Sequence, residues 1–290
     1  NREQRELREI TRYRKSLTEE RCREVNRLQK ILEGANIKLD SVVKDITGKS
    51  ARKLLQRIID DDIPDSDEVS KLVHGRMRPK LDQIVASIEG ITTLLQRKLL
   101  AQIIDHIDDL NRRIGELDKL VQEYMAEYEA AIEAIDEIPG IARRSAEVIL
   151  AEIGLDMGRF PSAAHLCSWA GVCPGNYQSA GRRKHGKMTK GNKALKTILT
   201  QCAKSAKIVK SSYFFAQYQR ISARRGKNRA TLAVAHSMLI AIYHILKNKT
   251  AFHDLGSDYY DSFNRDRKIN SYLKRLKALG WEPDAISSSA

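Results

Sequence analysis

The sequence predicts a mainly α-helical protein, in which a long coiled-coil helical arm leads into a compact, strongly basic helical domain. Aromatic residues make up only 6% of the chain and there are six prolines, a composition that favours helices over a β-sandwich. Apolar residues recur at heptad spacing over 103–128. Residues 157–253, here called the acid-free block, hold 97 residues with 18 Lys and Arg but no Asp or Glu. Because the whole chain has a formal net charge of +14, this block carries all of the excess positive charge.

The first predicted segment, residues 1–78, is a set of helices. A long helix is predicted from Arg5 to Leu32 by the apolar stripe of Leu7, Ile10, Leu17, Val25, Leu28 and Leu32. Shorter helices are predicted over about 38–47, 50–60 and 66–78. The acidic run 60–65 is interpreted as a helix end, a solvated loop and an N-cap before Glu68, in preference to a metal site.

Residues 79–135 form the predicted arm. Its a/d seam consists of Ile103, Ile107, Leu110, Ile114, Leu117, Val121, Tyr124 and Tyr128. Such a seam needs a partner helix, either elsewhere in this chain or in a second copy, and the expected state is a homo-oligomer formed through the coiled coil. Asp105, Asp108 and Asp109 have helical spacing and could chelate an ion, but charges flanking the seam are the favoured interpretation.

The third predicted segment, residues 136–255, begins with Ile138-Pro139-Gly140-Ile141 and a helical pattern to Ile153. Two helices joined by a Pro-Gly turn are similar to the helix-hairpin-helix motif, whose backbone N–H groups face a DNA phosphate. Arg143 and Arg144 would add contacts, although the usual motif has a second glycine where this chain has Ala142. Alternatively, the turn only separates two packed helices, and both interpretations stay open.

A glycine-containing basic run follows, with seven Lys or Arg between Arg182 and Lys196. Glycine lets the backbone approach a phosphate closely, and the cations neutralise it. The predicted DNA-binding residues are Gly140, Arg143, Arg144, Gly181, Arg182, Arg183, Lys184, Lys187, Thr189, Lys190, Asn192 and Lys193. A loop from Val172 to Gly181 precedes this run. Helices over about 192–208, 211–225 and 229–247 and a peripheral tail, residues 256–290, complete the chain, and the strongly apolar last helix is predicted to lie at the centre of the core.

The lack of Asp and Glu in the acid-free block limits the reactions that this block can catalyse. Without carboxylates it can neither hold Mg²⁺ alone nor supply an Asp or Glu base. Two hydroxyls, Tyr177 and Ser179, precede the cationic run, and a serine among Arg and Lys has the parts for phosphoryl transfer. Serine beside glycine is more commonly a turn former. A zinc site at Cys167, Cys173 and nearby histidines is disfavoured because no Cys-x₂-Cys pair is present, so no metal ligand is assigned.

Compartment and membrane contacts also follow from composition. The four cysteines have no framework spacing, which indicates a reducing, cytoplasmic environment. No apolar run approaches the roughly 20 residues of a membrane span, so the sequence predicts no membrane partner. The strong positive charge favours nucleic acid as the partner.

A set of short motifs resembles the C-terminal domain of the insertion-sequence transposases of the one-ten group, relatives of the Piv-type DNA invertases. The resemblance is dense over 135–250 and looser through the arm. It is carried by Ile138-Pro139-Gly140-Ile141, Leu150-Ala151-Glu152-Ile153-Gly154, Arg159-Phe160-Pro161-Ser162, Ala170-Gly171-Val172-Cys173-Pro174, Tyr177-Gln178-Ser179-Ala180-Gly181 and Lys187-Met188-Thr189-Lys190-Gly191-Asn192.

The resemblance implies a two-part enzyme that excises and inserts mobile-element DNA. In that family a RuvC-like N-terminal domain binds Mg²⁺ through four acidic residues, and a C-terminal serine attacks DNA. In the motif that begins at Tyr177, the residue that corresponds to this serine is Ser179. Family members assemble as dimers or tetramers, and some use a structured RNA encoded by the element.

The acidic residues of that family should precede the position where this chain starts. Asp105-His106-Ile107-Asp108 has the spacing of one acidic pair but lies within the arm. We therefore expect a copy that lacks the N-terminal domain, with Mg²⁺ bound only through that domain and none by this chain alone. The alternative is a non-catalytic, nucleic-acid-binding coiled-coil fragment. A tyrosine recombinase using Tyr177 is disfavoured because its Arg…His-x-x-Arg array is not evident.

Overall fold

The computed structural model of this 290-residue chain describes residues 2–173, 178–179, 182–183, 190–263 and 265–280. It divides into two compact units. We call Glu9–Tyr124 the arm unit, and Asn1–Arg8 together with Met125–Ala290 the basic unit. The predicted mainly α fold is confirmed. The division into segments 1–78, 79–135, 136–255 and 256–290 stays a prediction.

The arm unit is built from six helices and one 3₁₀ turn, Gly75–Lys80. The helices are α1 (Arg2–Gly34, whose first turns belong to the basic unit), α2 (Leu39–Val42), α3 (Lys49–Ile59), α4 (Ser66–Leu72), α5 (Leu81–Ser87) and α6 (Leu94–Tyr124). The predicted N-cap is confirmed, since Asp65 Oδ1 accepts a hydrogen bond from the Glu68 N–H at 2.8 Å.

The seam of α6 packs against α1 of the same chain. Leu17 of α1 forms a buried cluster with Leu110 and Ile114, and Leu117 packs beside them. Polar pairs flank this cluster: Arg21 Nε donates to Asn111 Oδ1 at 2.6 Å. Since later residues of α1 meet earlier residues of α6, the two helices run antiparallel. Of the two partners predicted for the seam, the structure contains the helix of the same chain.

Asp108 and Asp109 of α6 form ion pairs with arginines. Asp108 receives two hydrogen bonds from Arg52, one of them 2.9 Å long. The two oxygens of Asp109 accept from Arg112 and Arg113 at 2.6 and 2.7 Å. These contacts support their interpretation as charges flanking the seam.

The basic unit surrounds one apolar helix. Its elements are α7 (Glu129–Asp136), α8 (Arg143–Ile153), α9 (Ala163–Ala170), β1 (Gln178–Ser179), β2 (Arg182–Arg183), α10 (Lys193–Ala206), α11 (Tyr213–Arg225), α12 (Lys227–Asn248), α13 (Tyr259–Ser262) and α14 (Arg265–Ala278). Val234, Met238, Leu239 and Ile242 of α12 are fully buried. As predicted, this helix forms the centre of the core, packed by α9, α10 and α11.

Two features of the basic unit differ from expectation. The segment predicted as a plain loop contains an antiparallel ladder between β1 and β2. In addition, α12 is long and apolar enough to cross a membrane by length and composition, although no such run was expected. Half of its apolar window is buried inside the unit, as in the core helix of a globular domain.

Candidate nucleic-acid interface

A row of four lysines follows one face of α10. Lys193, Lys196, Lys204 and Lys207, here called the lysine stripe, are three, eight and three residues apart, so at 100° per residue they share one face. From Lys193 to Lys207, the residue that follows the last turn of α10, the helix rises over 14 steps, about 21 Å at 1.5 Å per residue. Leu195, Leu199 and Cys202 on the opposite face are buried in the core. The stripe lies on the other side, where Lys193 and Lys204 are exposed and Lys196 and Lys207 are half-buried.

The stripe has no carboxylate partner within the part of the chain that the structure describes. Lys207 Nζ lies 5.4 Å from the centre of the Tyr218 ring, which favours the charged amine without neutralising it. Lys196, Lys204 and Lys207 were not among the DNA-binding residues predicted from the sequence. Their helical spacing from Lys193 was the available signal.

The basic run returns to the helical core at Gly191. A Cβ on Gly191 would lie 2.4 Å from the Gly171 nitrogen and 2.6 Å from the Ala170 carbonyl carbon, so only glycine allows this approach. The Asn192 N–H also donates to the Trp169 carbonyl at 3.1 Å. The chain thus leaves α9 at Gly171 and returns beside it at Gly191, so the two ends of this segment, here called the 172–190 loop, lie close together.

Within this loop, β1 and β2 bring the predicted nucleophile opposite a predicted phosphate ligand. Ser179 and Arg182 are register partners in the ladder, as are Gln178 and Arg183. This juxtaposition of backbone positions was not foreseen from the sequence. Of the remaining predicted residues in this loop, Gly181, Lys184, Lys187 and Thr189 lie outside the described residues, whereas Lys190 is exposed.

Asn192 makes its side-chain contacts within the protein. Its Oδ1 accepts from the Leu195 N–H at 3.1 Å and caps α10. Its Nδ2 donates to Glu152 Oε2 at 2.6 Å. Glu152 is fully buried, and Arg8 Nε lies 3.7 Å from the same carboxylate oxygen. A residue predicted to contact DNA therefore links α10 to a buried carboxylate at the end of α8.

The Pro-Gly turn packs against the end of α10. Gly140 has a φ of +89°, and a Cβ there would lie 2.5 Å from both the Ala206 nitrogen and the Cys202 carbonyl oxygen. This close contact requires glycine at position 140 whether or not a phosphate binds there. It favours the interpretation in which the turn separates two packed helices. The helix-hairpin-helix contact with DNA stays a prediction.

Both arginines after the turn are exposed. Arg143 donates to both oxygens of Glu129, at 2.5 and 2.7 Å, and lies 3.4 Å from Glu147. The hydrogen bond to Glu129 raises the pKa of Arg143 above its usual value. Any phosphate contact by Arg143 would compete with this pair. Arg144 is exposed at the start of α8.

A second polar cluster joins α9 to α12. Cys173 Sγ lies 3.7 Å from His236 Nδ1, and the Cys167 thiol donates to the His236 carbonyl at 3.8 Å. Burial raises the pKa of Cys167 to about 12, raises the pKa of Cys173 and lowers the pKa of His236. A nucleophilic cysteine needs a lowered pKa, so these shifts disfavour a catalytic role for Cys167 and Cys173. The described residues contain no group of three or more His, Cys, Asp and Glu able to hold a metal ion.

Residues 132–219 match the family model described as "Transposase IS116/IS110/IS902 family". Over this segment the chain is similar to that transposase family. The matched transposase segment runs from α7 into α11 and includes Ser179, the β1–β2 ladder and the whole lysine stripe.

A curated relative extends the similarity beyond the transposase segment. The "Insertion element IS110 uncharacterized 43.6 kDa protein" of Streptomyces coelicolor is 27% identical over 213 residues. The aligned region covers 72% of this chain and 47% of the relative. This chain therefore spans about half the length of the relative it matches.

A further cationic patch lies just beyond the transposase segment, at the turn between α11 and α12. Arg224, Arg225, Lys227 and Arg229 are all exposed, and none has an ion-pair partner among the described residues. Four cations within six residues at a helix N-terminus make a favourable surface for a phosphate backbone. None of these four residues was among the DNA-binding residues predicted from the sequence.

Proposed function

We propose that this chain acts on DNA as part of a transposase, holding the duplex on its basic surface while the Ser179 hydroxyl attacks a phosphodiester. One observation carries the proposal: the matched transposase segment contains Ser179, its register partner Arg182 and the lysine stripe. The insertion-element relative supports the same assignment.

The lysine stripe supports the DNA-binding half of the proposal. A straight row of cations about 21 Å long can follow several successive phosphates of one strand. Contacts of this kind fix the position of the duplex without reading its sequence. Binding should therefore weaken steeply as salt concentration rises, because each neutralised phosphate releases counterions.

The proposed chemistry is a phosphoryl transfer. Ser179 Oγ forms a bond to phosphorus as the bond from phosphorus to one deoxyribose oxygen breaks. The serine proton is lost, and the departing sugar oxygen gains a proton. The chain is then joined to one DNA end by a phosphoserine bond. Attack on this bond by a sugar hydroxyl of another strand reverses the step and recombines the DNA. Arg182 and its neighbours would stabilise the charge on the non-bridging oxygens.

Mg²⁺ does not fit the described residues of this chain. The acid-free block has no carboxylate, and Asp108 and Asp109 are held by arginines. Hard oxygen ligands in a cluster are what Mg²⁺ requires.

The test compares wild type with Ser179→Ala on supercoiled DNA carrying the element ends, with and without the element's transcript. Denaturing gels and mass spectrometry should reveal a DNA-linked peptide at Ser179 in wild type and none in the variant, with DNA binding retained. Ser205→Ala, which removes an exposed hydroxyl from α10, is the matched control and should form the adduct. Cleavage that persists in Ser179→Ala would exclude the serine mechanism.

A second candidate function is non-catalytic nucleic-acid binding. The lysine stripe and the α11–α12 turn favour it, because both provide phosphate contacts without any reacting group. Under this alternative, wild type and Ser179→Ala would bind DNA with equal affinity and salt dependence. Neither would form an adduct, even when a longer protein that includes this chain is assayed.

A further inference from the structure

One groove of the basic unit has the character of a helix-binding site. It has a volume of about 600 Å³ and lies between α7 and the C-terminal end of α12. Ala130, Ala134, Leu155 and Leu246 give it an apolar lining. We call it the α7–α12 groove.

The rim of the α7–α12 groove is acidic. Glu127, Glu133 and Glu137 line it, against the single cation Lys249. All three glutamates are exposed, and none has an ion pair with another described residue. Their negative charge contrasts with the strongly positive acid-free block that follows in the sequence. An occupant should therefore combine an apolar face with positive charge.

Helix α14 has these two properties. Ile269, Tyr272, Leu273 and Leu276 fall at i, i+3, i+4 and i+7 and form one apolar face. Ile269, Tyr272 and Leu276 are 44%, 59% and 37% exposed, so the described part of the chain leaves most of this face uncovered. Its sequence holds six Lys and Arg against one Asp, so α14 is a basic amphipathic helix.

We propose that α14 of one copy of this chain docks in the α7–α12 groove of a second copy. An amphipathic helix laid in an apolar groove typically anchors through residues at i, i+3, i+4 and i+7, the spacing found in α14. These anchors extend about 10 Å along the helix axis, and the eight residues of α7 extend about 12 Å. The flanking Lys274 and Lys277 then face the glutamates of the rim.

Other partners fit the two surfaces less well. A nucleic acid would match the charge of α14 but leave its apolar face in water. An anionic membrane surface would accept both faces of α14 but would repel the acidic groove. A second copy satisfies the groove and the helix together, since each copy carries both.

A cross-linking experiment identifies the occupant directly. Unlabelled and ¹⁵N-labelled copies of the full chain are mixed at low concentration, concentrated, and treated with a carbodiimide, which joins carboxylates to amines in contact. We expect peptides that join Glu133 or Glu137 to Lys274 or Lys277, with one half labelled and the other unlabelled. If the linked peptides are always both labelled or both unlabelled, α14 lies in the groove of its own copy. If no such peptides are found, α14 does not occupy the groove. Either result overturns the proposal.

Charge exchange provides the second test, read by sedimentation equilibrium against the 32.9 kDa chain mass. Glu133→Arg with Glu137→Arg should weaken self-association at least tenfold, and so should Lys274→Glu with Lys277→Glu. An equimolar mixture of the two variants should associate again, because the reversed helix meets the reversed groove.

The matched control is Glu89→Arg with Glu123→Arg, which makes the same charge change at two exposed positions outside the groove. It should associate like wild type. The proposal is overturned if the groove variant also associates like wild type. It is equally overturned if Lys274→Glu with Lys277→Glu weakens only binding to DNA or to anionic vesicles.

Discussion

Gly140 and Gly226 have nearly the same backbone φ, +89° and +83°, but different surroundings. A Cβ on Gly140 would lie 2.5 Å from backbone atoms of α10, whereas one on Gly226 would meet nothing within 4 Å. Gly226→Ala should cost about 1 kcal/mol through backbone strain alone. Gly140→Ala adds a steric clash and should cost at least about 2 kcal/mol more. Denaturant unfolding measures both, and equal losses would contradict the packing role of Gly140.

His236 should make the stability of the basic unit depend on pH. Burial lowers its pKa below the usual 6.5, so the unfolded chain binds a proton more readily than the folded chain. This contribution to stability is present above pH 6.5 and is lost as the pH falls through the lowered pKa.

The corresponding variant is His236→Gln, which should show a smaller loss of unfolding free energy between pH 7 and pH 5 than wild type. His253→Gln, a change at an exposed histidine, serves as the control and should retain the wild-type slope. Urea titrations at several pH values give the comparison. Parallel slopes in all three proteins would rule out a contribution from His236.

At the scale of single elements, the two faces of α10 differ in composition and in what they contact. One face packs on the core, and the other carries the lysine stripe. Lys193→Ala, Lys196→Ala and Lys204→Ala together should reduce the slope of log K against log salt concentration by about 0.9 for each lost phosphate contact, up to about 3. Fluorescence anisotropy with duplex DNA measures this slope.

The control for the stripe is a triple variant in the arm unit, Lys44→Ala, Lys71→Ala and Lys119→Ala. All three lysines are exposed, so the net charge falls by the same amount. If both triple variants change the slope equally, overall charge and not the stripe governs binding.

The α1–α6 pair yields a stability prediction for the arm unit. Ile114 packs on Leu17 of α1 and is 9% exposed, so Ile114→Asp places a charge in an apolar contact. We expect a loss of about 3 kcal/mol or more, with faster hydrogen exchange in α1 and α6 and little change in α12. Ile91→Asp, at a residue 86% exposed, should change stability by less than about 0.5 kcal/mol. A stable Ile114→Asp protein that only loses self-association would show that the seam serves a second copy instead.

Charge is unevenly distributed over the whole molecule. The acid-free block carries 18 Lys and Arg and no acid, whereas the remainder has 33 Lys and Arg against 37 Asp and Glu. Within the basic unit the same contrast recurs between the lysine stripe and the acidic rim of the α7–α12 groove. Two surfaces of opposite charge are suited to different partners, the positive one to a polyanion and the negative one to a basic helix.

Several features could be predicted from the sequence because they depend on local spacing. The apolar stripe of α1, the burial of α12 and the cap at Asp65 each follow from residues within a few turns of one another. The position of Lys204 and Lys207 on the same helix face as Lys193 could have been predicted from their spacing in the same way. The β1–β2 ladder was not, because a two-residue ladder has no periodicity to detect.

The sequence by itself determined the helical character of this protein, the position of its positive charge and its resemblance to a transposase family, since each depends on composition or on ordered motifs. Only the tertiary structure decided which of two partners covers the α6 seam, why Gly140 must be glycine and where the Asn192 side chain binds. Those contacts join residues that are far apart in the chain, such as Gly140 with Ala206 and Asn192 with Glu152. Packing between distant segments leaves no pattern in a single sequence, because either segment would look the same with another neighbour.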